Sequence, residues 1–168
     1  MMRVLIVDDE RSNLESLQRI FAREGWRTAA AASGEEALEV LRRERPSVVV
    51  TDLMMPGMGG AELLRATKAI APETEVVLVT AYGTVEGAVQ AMRLGAYDYI
   101  LKPFNLEELL MTVNRAIDHQ RLQMENATLK RQLKDKFDLD DMVDDMGITT
   151  PSLNQSEYIR VLKLARKP

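Results

Sequence analysis

The 168-residue chain contains no cysteine, which excludes disulfides, thiolate zinc sites and cysteine nucleophiles and fits a reducing compartment. It has one histidine, His119, too little for a histidine metal centre. No excess of one charge stands out either: the formal net charge is −4, so bulk electrostatics do not favour a nucleic acid or an anionic membrane. Apolar runs stop after a few residues, far short of the roughly 20 that a membrane span needs. Met1–Asp9 holds one arginine and a brief apolar run ending in two acids, which is no signal peptide. There is no G-x-x-x-x-G-K-[ST] phosphate loop and no internal repeat. What is present, 46% hydrophobic and 29% charged residues, is enough to close a core and excludes wholesale disorder.

Through about residue 118, short β-branched runs alternate with stretches of helical period. Val4-Leu5-Ile6-Val7, Val48-Val49-Val50-Thr51 and Val76-Val77-Leu78-Val79 are continuously apolar rather than alternating, the mark of strands buried on both faces of a parallel sheet. Thr28–Ala32 and Tyr97–Leu101 are weaker candidates. The intervening sets Leu14/Leu17/Ile20/Phe21, Ala37/Leu38/Leu41, Leu63/Leu64/Thr67 and Val85/Ala88/Val89/Met92 each mark one face of a helix. Five such units predict a doubly wound α/β domain, with its active site at the carboxyl ends of the strands.

The fifth helical stretch is different. Leu106, Leu109, Leu110, Val113 and Ile117 can pack on the sheet, but no Gly or Pro interrupts the sequence to about Lys136. A helix that long would reach about 46 Å. Leu122, Asn126, Leu129 and Leu133 then recur at spacings of four, three and four, a coiled-coil seam with a polar residue that can set register. The expected organisation is a domain at 1–118, a helical linker at 119–137, and an acidic segment with a short amphipathic tail at 138–168. Within that tail Ser152–Lys167 has the period of a short helix.

The predicted strand ends carry Asp8 and Asp9, Asp52, Thr80, and Lys102 followed by Pro103. Singly, each has a structural explanation: a helix cap, a turn residue, a strand end, a solvated charge. Together, three carboxylates, a hydroxyl and a lysine converge on one edge of one sheet. Clustered carboxylates repel and call for a cation, and an all-oxygen donor set without His or Cys suits Mg²⁺. A carboxylate beside Mg²⁺ and an ammonium is arranged to attack phosphorus and form an aspartyl phosphate.

The segments Val4–Glu10, Asp52–Gly60, Thr80–Gly83 and Gly95–Phe104 resemble, in order and spacing, a two-component response-regulator receiver domain over about residues 2–120. The resemblance implies the flavodoxin-like strand order 2-1-3-4-5 and a phosphoryl group accepted on Asp52 from a histidine kinase. It implies Mg²⁺ held by Asp9 directly, Asp8 largely through water, Asp52, and the backbone carbonyl of Met54. Lys102 would pair with the acyl phosphate, and Pro103 would follow a cis peptide. Thr80 and Tyr99 would be the switch pair, read out on the face formed by the fourth helix, fifth strand and fifth helix. Such a domain is a signalling module with self-phosphorylation and self-dephosphorylation chemistry rather than a metabolic enzyme. Bulky Met54 and Tyr82, at positions that tune phosphoryl lifetime in that family, imply slow self-hydrolysis.

Beyond Ile117 the uninterrupted helix resembles the linker of nitrogen-regulatory-type activators of sigma-54 polymerase, in which an AAA+ ATPase and a DNA-binding helix pair follow; neither is in this chain. The expectation is a cytoplasmic homodimer joined through the readout face and linker helix, acting in transcriptional control without itself binding nucleic acid or membrane. The alternatives are a stand-alone phosphorylated docking module and a phosphorelay shuttle. His119 is expected to be a surface helix residue, neither phosphodonor nor metal ligand.

Overall fold

The computed structural model describes residues 3–145, with side chains described through Lys136. The expected tail helix at Ser152–Lys167 and the side chains of the acidic stretch lie outside these residues. In chain order the elements are β1 (Arg3–Val7), α1 (Arg11–Arg23), β2 (Arg27–Ala31), α2 (Gly34–Glu44), β3 (Val48–Asp52), α3 (Gly60–Ile70), β4 (Glu75–Thr80), α4 (Val85–Arg93), β5 (Asp98–Leu101) and α5 (Leu106–Asp145). All strand pairings are parallel and the order is β2-β1-β3-β4-β5, as the resemblance implies.

The continuous apolar runs behave as two-faced strands. Alternate residues point to opposite sides, so Leu5, Val7, Val49 and Leu78 join one core with Leu41, Leu63 and Leu64 from α2 and α3. Val4, Ile6, Val50, Val77 and Val79 join a second core with Phe21 from α1 and Leu109, Val113 and Ile117 from α5. Each fully buried aliphatic side chain contributes about 1.5–3 kcal/mol, so the central strands fix where their carboxyl ends lie. Register places Asp52 of β3 opposite Val79 of β4, and Thr80 opposite Leu101 of β5.

Helix starts are set locally. Ser33 caps α2 by accepting the Glu36 N–H, and the Glu36 carboxylate accepts the Ala32 N–H just ahead of the cap. Thr84 caps α4 through the Gly87 N–H, and Asn105 accepts the Glu107 N–H at the start of α5. The α5 helix continues past Lys136, where the sequence reading ends it, to Asp145, and so takes in the acidic residues from Asp138 onward. The chain divides into two units between Arg121 and Leu122. In the second, Leu122 and Leu129 are exposed while Asn126 and Leu133 are partly covered. Among the described residues no helix is long and apolar enough to cross a membrane.

Candidate functional site

The residues picked out at the strand ends meet. Asp8, Asp9 and Asp52 each place a carboxylate oxygen within 4.8 Å of the others, and among the described residues no other His, Cys, Asp or Glu trio comes as close. Lys102 Nζ donates to Asp52 Oδ2 at 3.0 Å and lies 3.8 Å from Asp8 Oδ2. The Lys102–Pro103 peptide is cis.

Asp8 is not the cap of α1. That position belongs to Glu10, whose side chain makes no capping bond. Asp8 is 5% exposed; its Oδ1 accepts the Glu10 N–H at 2.9 Å and its Oδ2 accepts from Asn13 Nδ2 at 3.2 Å. Burial pushes the Asp8 carboxyl above the usual range, and the Asp52 charge adds to this, while the Glu10 and Asn13 hydrogen bonds and the Lys102 charge oppose it. Burial pushes the Lys102 ammonium down, but the hydrogen bond and charge of Asp52, with the charges of Asp8 and Glu10, outweigh it and hold Lys102 above its ordinary value. The arrangement is thus one exposed, one half-buried and one buried carboxylate against a firmly charged lysine.

This donor set fits Mg²⁺. The ligands are hard oxygens, their like charges are close, and Asp8 is desolvated in a way that a divalent cation would relieve. Asp8, Asp9 and Asp52 would hold it, with the Met54 carbonyl as the further ligand that the resemblance implies. Met54 itself donates its N–H to Asp52 Oδ1 at 3.1 Å, and its side chain is exposed.

Thr80 and Tyr99, the pair expected to switch, are arranged less simply. Thr80 is fully buried, and its hydroxyl accepts the Tyr82 N–H at 3.1 Å, holding the loop after β4. The Tyr99 hydroxyl is buried without a hydrogen-bond partner and lies 3.6 Å from where a Cβ would stand on Gly87 of α4. Behind the acids, a cavity of about 360 Å³ is lined by Ile6, Leu17, Ile20, Val50 and Phe104, with Asp8, Asp52 and Lys102 at its polar side.

Sequence reasoning missed Asn13, which falls one helical turn after the acids and steadies Asp8; an amide there was the available signal. It also treated His119 as a plain surface residue. His119 is exposed on α5, as expected, and is no member of the acidic trio, but its Nδ1 lies 2.9 Å from a carboxylate oxygen of buried Glu75.

Comparison with known proteins agrees with this geometry. Residues 4–114 match the family described as "Response regulator receiver domain". The chain is 41% identical over 131 residues to the regulatory protein AtoC of Escherichia coli K12, covering 78% of this chain but 28% of AtoC. The beryllofluoride-activated NtrC4 receiver domain dimer superimposes with a TM-score of 0.68 at 35% identity, covering 71% of this chain and 99% of that one. NtrX from Brucella abortus gives a TM-score of 0.70 at 34% identity, covering 76% of this chain and 29% of that one. The chain therefore spans under a third of the longer regulators it matches. With the matching residues, the 2-1-3-4-5 sheet and the acid–lysine cluster all in one place, the chain belongs to the response regulator receiver domain family.

Proposed function

We propose that Asp52 accepts a phosphoryl group from the phosphohistidine of a partner histidine kinase. A carboxylate oxygen of Asp52 attacks phosphorus, the N–P bond breaks, and the imidazole leaves as an acyl phosphate forms. The observation that carries this reading is the Lys102 ammonium 3.0 Å from Asp52 Oδ2, beside two further acids. Bound Mg²⁺ would supply charge neutralisation for the phosphoryl oxygens. Lys102 would transfer its ion pair from the carboxylate to a phosphoryl oxygen. Thr80 would give up its bond to the Tyr82 N–H to donate its hydroxyl to the same group, and Tyr99 would register the change against α4.

The readout surface would be the face of α4, β5 and α5. Val85, Val89 and Met92 of α4, Leu101 of β5 and Met111 of α5 are all exposed, an apolar stripe suited to a second copy of the chain. The dimeric NtrC4 receiver supports this choice of occupant. The seam of Leu122, Asn126, Leu129 and Leu133 would extend the dimer along the linker. The likeness to a relative named as a transcriptional regulatory protein, DctD of Rhizobium meliloti, supports a role in transcriptional control in preference to a stand-alone docking module; with the linker's resemblance, the reading is a cytoplasmic regulator whose output region is of sigma-54 activator type.

The test is mass spectrometry after incubation with a small phosphoramidate and Mg²⁺, paired with sedimentation in beryllofluoride. The wild type is expected to gain one phosphoryl group and to change its association state, while Asp52→Asn does neither. Phosphorylation of the Asp52→Asn variant to the wild-type extent would sink the assignment.

A further inference from the structure

The loop joining β3 to α3 begins at the proposed phospho-acceptor, and one of its supports comes from α2. Met58 donates its N–H to Glu35 Oε1 at 3.1 Å, across 23 residues of sequence. The same oxygen lies 3.1 Å from where a Cβ would stand on Gly57, whose φ of +75° favours glycine. Met58 also rests directly on Gly34: a Cβ there would meet the Met58 Cγ at 2.7 Å and its backbone oxygen at 2.8 Å. The far end of the loop is closed by Gly60, whose N–H donates to the Leu53 carbonyl at 2.9 Å.

Division of labour on the first turn of α2 makes Glu35 notable. Glu36 turns back to accept the Ala32 N–H ahead of the Ser33 cap, whereas Glu35 reaches across to the loop. Glu35 touches neither the acids nor Lys102 in any described bond, so an influence on the site would pass through the backbone between Leu53 and Gly59.

We propose that Glu35 is a positioning residue: by accepting the Met58 N–H it fixes the Leu53–Gly59 loop, and with it the Met54 carbonyl, so that α2 helps set the affinity of the acidic site for a divalent cation. This rests on the metal reading of Asp8, Asp9 and Asp52. A supporting group that orients a ligand in this way commonly changes metal affinity without contacting the ion.

The experiment is an NMR titration with MgCl₂ of the wild type, Glu35→Ala, Glu35→Gln and Glu39→Gln, together with hydrogen exchange at the Met58 amide in metal-free protein. Glu39 is an exposed acid of the same helix and controls for charge. Glu35→Ala is expected to lose protection at Met58 and to weaken Mg²⁺ binding about three- to tenfold, the worth of one net hydrogen bond. Glu35→Gln, which keeps an acceptor oxygen, should stay within about twofold of wild type in both readouts. Equal weakening in Glu35→Gln and Glu35→Ala would reduce the effect to charge and overturn the proposal, as would unchanged Mg²⁺ binding in Glu35→Ala. A wild type with no saturable Mg²⁺ response, yet with Met58 protected through Glu35, would instead overturn the metal reading and the inference built on it.

Discussion

His119 Nδ1 stands 2.9 Å from Glu75 Oε1, so a half-exposed ring on α5 partners a carboxylate that is almost wholly buried at the first residue of β4. The other carboxylate oxygen of Glu75 lies 4.0 Å from Lys68 Nζ, and the His119 ring sits 5.5 Å from that of Tyr97. The contact ties α5 to the amino-terminal end of the sheet, opposite the acidic site.

Removing the ring leaves a buried acceptor short of a partner. His119→Ala is expected to lower stability by about 1–3 kcal/mol, seen as a lower urea midpoint at unchanged slope. His119→Gln, whose amide can donate to Glu75, should recover part of the loss. An Ala variant as stable as wild type would show that Lys68 alone satisfies Glu75.

Asp8 is held above the usual carboxylate range, so its ionised form costs the fold stability that its protonated form does not. The cost sets in as pH rises through the ordinary carboxylate value and is complete once pH has passed the raised one. In Mg²⁺-free buffer at pH 7, Asp8→Asn is therefore expected to raise stability by about 1 kcal/mol, a melting temperature higher by roughly 3–6 °C. Below the carboxylate range the two proteins should converge, and saturating Mg²⁺ should favour the wild type. Lys102 has the opposite sense: raised, it stabilises below the ordinary lysine value and that contribution is lost as pH climbs through its shifted one.

Two glycines should respond differently to alanine. At Gly60 a Cβ would come within 2.5 Å of the Asp52 carbonyl oxygen and 2.8 Å of Leu53 Cα, backbone that cannot step aside. Gly60→Ala should cost about 2–4 kcal/mol and impair phosphorylation. At Gly83 the obstruction is Leu101 Cδ2, the end of an exposed side chain that can turn away. Gly83→Ala should cost less than about 1 kcal/mol in thermal unfolding.

Met54 and Tyr82 are both exposed, and neither carries the carboxylate or amide that would best orient an attacking water. Replacing Met54 with Asn is expected to shorten the lifetime of the phosphorylated protein roughly three- to tenfold, followed as loss of the phosphoryl mass with time. An unchanged lifetime would mean that water is positioned from elsewhere.

The sheet was legible because Val, Ile and Leu fill both faces of β1, β3 and β4, leaving no other home for those runs. The alanine-rich edge strand β2 (Arg27–Ala31) and the short β5 (Asp98–Leu101) were weaker signals, and each begins one residue away from its expected start. The acids, Thr80 and Lys102 were legible because a parallel sheet delivers the carboxyl ends of its strands to one edge. The contacts of Asn13, Glu35 and His119 were not, since each depends on where a side chain turns in the folded molecule. Glu75 and His119 are 44 residues apart, and no local period links them. The sequence reading carries the fifth helix only to about Lys136 because the composition turns acidic there, although nothing in those aspartates forbids a helix and α5 runs to Asp145.

The Tyr99 hydroxyl is hidden without a partner, and such a burial costs about 1–3 kcal/mol. Any rearrangement that gives the hydroxyl a partner recovers that cost. Under the proposed switching role of Tyr99, that recoverable free energy is what would bias the ring toward a second position when the far end of β4 changes.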